Sequence, residues 1–153
     1  MQVTQLTAEQ RVDKCAADIM GRSYYTAEQP TFMVGSKTIV DEHPTAFTDG
    51  RNESYGRDFV MSLSIQECRF LLLHENKHKR DQDLVTFYWM FKMDAEVANH
   101  ACDYAINVEI EDENPDGWAR HPRDDNGKRI GLYNAKYRGK SKPEIFYELY
   151  KEK

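Results

Sequence analysis

The chain has 153 residues, 40 % of them hydrophobic and 12 % aromatic, which is enough for one domain with a core of its own. A net charge of -5 and a pI near 5.5 argue against general nucleic-acid binding and against attachment to anionic membranes, because both need a basic face. No apolar run is long enough to span a bilayer, and MQVTQLTAEQ lacks the basic and apolar regions of a signal peptide, so a cytoplasmic protein is expected.

The first predicted helix covers Leu6 to Met20, with Thr7 and Gln10 as a capping box, Gly21 as the stop, and Val12, Ala16 and Ile19 on one face. From Pro30 to about Val60 the residues turn β-branched and aromatic between turn formers, TFMVGSKTIV and then TAFTDGRNESYG. Two to four short antiparallel strands are expected there, with a tight turn at Asp49-Gly50. Ser64 and Glu67 open a second helix that runs to about His78 or beyond, and a third is predicted from about Leu84 through Val108, where neither Gly nor Pro occurs. EIEDENPDGWARHPRDDNGKR reads as an exposed loop, its acidic start as a solvated rim, and SKPEIFYELYKEK as a short closing helix. Cys15, Cys68 and Cys102 form no CxxC pair and read as reduced core thiols.

The second helix carries the chemistry. Its apolar run Phe70-Leu-Leu-Leu73 stops at His74-Glu-Asn-Lys-His78, a match to H-E-x-x-H. Residues four apart lie about 40° apart around a helix, so His74 and His78 form a bidentate clamp for a metal. Glu75 lies about 100° round from His74, placed to hydrogen-bond a water and act as general base. Leu71 shares the histidine side, and its apolar neighbours anchor the helix in the core. The same sequence also reads as the solvated end of an amphipathic helix, with Lys77, Lys79 and Arg80 in or beside the motif; these cations cost metal affinity unless they reach solvent, and Lys77 points about 100° away from His78, which allows it to snorkel.

A catalytic zinc takes three protein ligands. In AEVANHACDYAIN, His100, Asp103 and Asn107 fall on one helical face, and Asp103 is a carboxylate in an otherwise apolar stretch that wants a partner: a metal, or an Arg, Lys or backbone amide. Tyr104, His100, His121 and Tyr133 are available to stabilise an oxyanion, and His43 reads as a surface or turn histidine.

The segments TAFTDGRNESYG, LSIQECRFLLLHENKHK, ANHACDYAIN and GLYNAKYRGKSKPEIFYELY, in that order, resemble the metallopeptidase domain of bacteria and their phages that is often joined to a von Willebrand A-like domain. The resemblance implies an α+β, zincin-like fold over residues 1–153, a small antiparallel sheet packed on an active-site helix and a second long helix. It also implies zinc as cofactor, His74 and His78 as ligands with Asp103 the proposed third, Glu75 as base, and a protein or peptide as substrate. Asp83 stands where many members have an additional histidine. Three readings follow: a zinc metallopeptidase, a zincin-like interaction or inhibitor protein without turnover, and a metal-dependent hydrolase of other carbonyl compounds.

Overall fold

The computed structural model describes residues 6–114 and 116–153. The leading MQVTQ, read above as free of a signal sequence, and Pro115 of the acidic loop lie outside them. Helix α1 (Ala8–Met20) starts at the Thr7/Gln10 capping box and ends at Gly21, and a single turn, α2 (Gln29–Phe32), follows around Pro30. Part of the stretch expected to begin the strands is therefore helical, in keeping with a proline in a first helical turn.

Three strands follow, β1 (Lys37–Val40), β2 (Ala46–Thr48) and β3 (Glu53–Gly56), in the order β1-β3-β2. The sheet is mixed and not antiparallel as expected: β2 and β3 form the hairpin, with Gly50 at φ +96°, but β1 runs parallel to β3. The cause is the route between β1 and β2. Residues 41–45 pass over the end of β3, placing β2 on the far edge and leaving the central slot to β3. Gly56 makes that passage feasible, because a Cβ there would lie 2.0 Å from the His43 carbonyl oxygen.

Helix α3 (Arg57–Ser62) leads into α4 (Ile65–Asp81), which begins at the expected Ser64/Glu67 capping box. The predicted third helix is broken into α5 (Asp83–Thr86), α6 (Tyr88–Met93) and α7 (Ala95–Asp112). Gln82 is left-handed at φ +50°, and Asp94 is extended, its side chain accepting the Val97 N–H at 3.1 Å. A side-chain cap of that kind competes with continuing the helix from before it. Helix α8 (Lys142–Lys151) closes the chain.

Two apolar clusters hold these pieces. One joins α1, α4 and the sheet to Ile106 and Ile110 of α7; the other lies between α6, α7 and α8 around Met90, Cys102 and Phe146. Helix α7 belongs to both, so its middle is held rigidly against α4. The three cysteines are free and buried, and among the described residues no helix is long and apolar enough to cross a membrane.

Candidate metal centre

Phe70, Leu71, Leu72 and Leu73 are all buried, which fixes the rotation of α4 and aims His74 and His78 at α7. There they meet Asp103. The His74 Nε2 lies 3.2 Å from Asp103 Oδ1 and 3.2 Å from His78 Nε2, and His78 Nε2 lies 2.9 Å from the same carboxylate oxygen. Three donor atoms thus converge from residues 29 positions apart at most, on two helices.

The outer nitrogens are fixed as well. Asn107 donates its Nδ2 to Leu132 O at 2.7 Å, so its Oδ1 accepts from His74 Nδ1, also at 2.7 Å. Asp83 Oδ2 accepts from His78 Nδ1 at 2.7 Å, and Lys142, reaching in from the first turn of α8, holds Asp83 Oδ1 at 2.5 Å and Asp81 at 2.8 Å. With both Nδ1 atoms protonated, both Nε2 atoms present lone pairs to the same point, the arrangement metal-binding histidines adopt.

Electron pairs so placed repel unless a cation sits among them. In the metal-free protein a proton serves: burial lowers the His78 pKa, but the hydrogen bonds it donates to Asp103 and Asp83 outweigh this and push it up to about 10. Burial raises the Asp103 pKa, yet the two histidines hold it well below the usual carboxylate range. A zinc ion would also fit: ligand atoms about 2.0–2.1 Å from zinc at tetrahedral angles lie roughly 3.3–3.4 Å apart. The observed 2.9–3.2 Å separations fall just inside that spacing.

Glu75 is 5 % exposed and lines the same cavity of about 360 Å³. It has no hydrogen-bond partner among the described residues; burial raises its pKa, and the charges of His74 and His78 only partly offset this. The remaining walls are β2, the α4–α5 junction, Phe91 and Asn99, and Ile130–Leu132, with His121 and Pro122. The segment read as an exposed loop therefore supplies a wall. It is pinned by Arg120 N–H to Gln66 O at 2.9 Å and by His121 packed on Phe70 with centroids 4.6 Å apart.

Of the residues considered for the oxyanion, only His121 borders the cavity, and both its nitrogens are engaged, Nε2 to Ile130 O at 2.7 Å and Nδ1 with Arg129 at 3.4 Å. Tyr104 packs on Tyr137, Tyr133 lies beneath Arg129, and His100 faces elsewhere. His43 caps its own turn, its Nδ1 accepting from Thr45 N–H.

The snorkelling that the direction of Lys77 allows does not occur, and Lys79 does not reach solvent either. Lys77 and Lys79 are 0 % and 1 % exposed. Lys77 pairs with Glu28 and Glu113 at 2.9 Å and with Glu109 at 3.4 Å; Lys79 pairs with Glu53 at 2.6 Å and donates to Val34 O at 2.8 Å. The acidic start of the rim stays partly solvated, with Asp112 and Asp116 exposed, and Glu109 and Glu113 also serve these pairs. Carboxylates distant in sequence lie beyond the reach of helical periodicity, which is why the burial was not foreseen. Asp83 and Lys142 were missed as supports of the site for the same reason, although Asn107 shares the face of Asp103 and was visible.

No curated protein and no solved structure matches the chain. Residues 28–149, most of the chain and all of the cluster just described, match the family described as "Putative metallopeptidase domain", and the chain belongs to that family.

Proposed function

We propose that the protein is a zinc-dependent hydrolase of the metallopeptidase type, with His74, His78 and Asp103 holding the metal and Glu75 as general base. The observation that carries this reading is the meeting of two imidazole lone pairs and a carboxylate oxygen within 3.2 Å of one another, beside a buried, unpartnered glutamate. Zinc in such a site supplies a Lewis acid and lowers the pKa of its water to about 7. Glu75, made more basic by burial than a surface glutamate, takes the proton of the attacking water and returns it to the leaving amine. Asn107 and Asp83 keep the imidazoles in the required tautomer throughout.

The layout supports a zincin-like arrangement, with an edge strand beside the ligand helix and a second long helix giving the third ligand. Thr45 and Asp49 bond inward to β3 through Gly56 N–H and Asn52 O, so the alternation of an antiparallel pair turns the backbone groups of Ala46 and Thr48 outward. A substrate strand can pair with them at the cavity mouth. Protection of those amides on binding a peptide inhibitor supports this pairing; unchanged exchange counts against it.

The test is metal content and turnover in one set of proteins. Wild type should hold about one zinc per chain, His74→Ala and Asp103→Ala should hold little, and Glu75→Gln should keep zinc while hydrolysis falls about 10²–10⁴-fold. Wild type that takes up no zinc would refute the reading, and zinc without hydrolysis of any peptide would leave the scaffold as an inert binder.

A further inference from the structure

We infer that the cavity accepts an uncharged segment inside a polypeptide and seats one bulky apolar side chain of it against Phe47, Leu84 and Val85, making the protein an endopeptidase; this rests on the metallopeptidase reading. Single exposed apolar residues are ordinary on protein surfaces. These three border one cavity from two elements, β2 and α5, and stay 46 %, 49 % and 75 % exposed beside the ligand cluster. Covering them with an apolar side chain removes both partners from water, which neither a charged nor a small side chain achieves.

Charge selects against chain ends. No lysine or arginine lines the cavity among the described residues. Arg129, which reaches its wall through His121, is held by Glu111 at 2.5 Å, and Lys142 is taken by Asp81 and Asp83. A terminal carboxylate therefore finds no side-chain cation, and one bound to the zinc itself would displace the attacking water. The acids are engaged too: Asp103 in the ligand cluster, Asp83 on His78 and Lys142, and Asp49 on the N–H groups of Arg51 and Asn52. Only Glu75 remains, and a terminal ammonium drawn to it would remove the base.

The test uses the zinc-loaded protein and two readouts. It is titrated with N-acetyl-leucine hydroxamate, the N-acetyl-aspartate counterpart, and leucine hydroxamate with its amine free. It is then given random peptides acetylated and amidated at their ends, with cuts located by mass spectrometry. The acetylated leucine compound should bind about tenfold or more tightly than the aspartate one and no worse than the free amine. Cuts should fall inside the blocked peptides beside Leu, Phe or Met. Leu84→Gln combined with Val85→Gln should flatten the leucine preference with zinc content unchanged; both sites are exposed, so the variant should fold. Equal binding of the two acetylated compounds, preference for the free amine, or an unaltered preference in the double variant overturns the proposal while the metallopeptidase reading stands. Zinc-loaded protein that cuts no peptide counts against that reading and overturns the endopeptidase part of this one, and the order of hydroxamate affinities then decides only which segment the cavity seats. Failure to take up zinc removes both.

Discussion

Replacing Lys79 with methionine should destabilise the metal-free protein by about 4 kcal/mol. The side chains of Lys79 and Glu53 are both 0 % exposed, 2.6 Å apart. Removing one partner of a buried pair costs about 3–5 kcal/mol, because the other charge is left in a poor solvent. Here Glu53 keeps Lys37 at 3.4 Å and the Tyr55 hydroxyl at 2.5 Å, which favours the lower end, about 3 kcal/mol. The Val34 carbonyl also loses its 2.8 Å donor, adding about 1 kcal/mol. For a chain of this size, about 4 kcal/mol lowers the thermal midpoint by roughly 8–16 °C. The assay is urea and thermal unfolding with a chelator present, since bound metal adds stability of its own. Glu53→Gln in the same chain should recover part of the loss, because no fully buried charge then remains: Lys37 is 14 % exposed and keeps the Phe32 carbonyl at 3.0 Å. Had Lys79 reached solvent, the substitution would change stability by less than about 0.5 kcal/mol. A loss that small would refute the buried pairing and the account of how the motif tolerates its lysines.

Asp83→Ala should weaken zinc binding about 10–100-fold by freeing the His78 ring, measured by competition with a chromophoric chelator; unchanged affinity would remove Asp83 from the site. Zinc uptake near pH 7 should release about one proton, because His78, pushed up to about 10 in the metal-free protein, must give up its Nε2 proton. Calorimetry in buffers of different ionisation enthalpy reads this, and a buffer-independent heat would contradict it. A raised pKa stabilises the fold fully below the unfolded value of 6.5 and ceases to as pH passes about 10, so the metal-free protein should lose stability across that interval and the zinc form should not. Gly56→Ala should cost about 1–3 kcal/mol or more by forcing the 41–45 crossing off β3, with a matching fall in thermal midpoint.

Local chemistry was legible and long-range partnership was not. The caps at Thr7 and Ser64 were visible as residue pairs three apart, and each capping box is present. The convergence of His74, His78 and Asp103 was legible because the three obey helical spacing on two segments, each with polar residues in apolar surroundings. The parallel β1–β3 pairing was hidden because it depends on where a five-residue connection crosses, not on strand residues. The break at Asp94 was overlooked beneath the strong apolar periodicity around it, although Asp is a common cap. Burial of Lys77 and Lys79 was unreadable, since periodicity places a residue on a face without saying what covers that face.

Charge balance around α4 links the buried lysines to the metal. On the β3 side, Lys79 and Lys37 meet Glu53; on the side toward Glu28, Lys77 and Arg80 meet Glu28, Glu109 and Glu113. Asp81 and Asp83 share Lys142, Arg80 and His78. On the cavity side, Glu75 and Asp103 have no lysine or arginine beside them among the described residues. Two carboxylates in a confined, partly apolar cavity repel each other, and a proton on His78 neutralises only one of them. A divalent ion at the three donor atoms would balance both and let Glu75 stay ionised, as its proposed role requires. The lysines in the motif therefore would not compete with a metal bound there: their charges are answered by carboxylates on other sides of the helix, and among the described residues the cavity side is left in want of a cation.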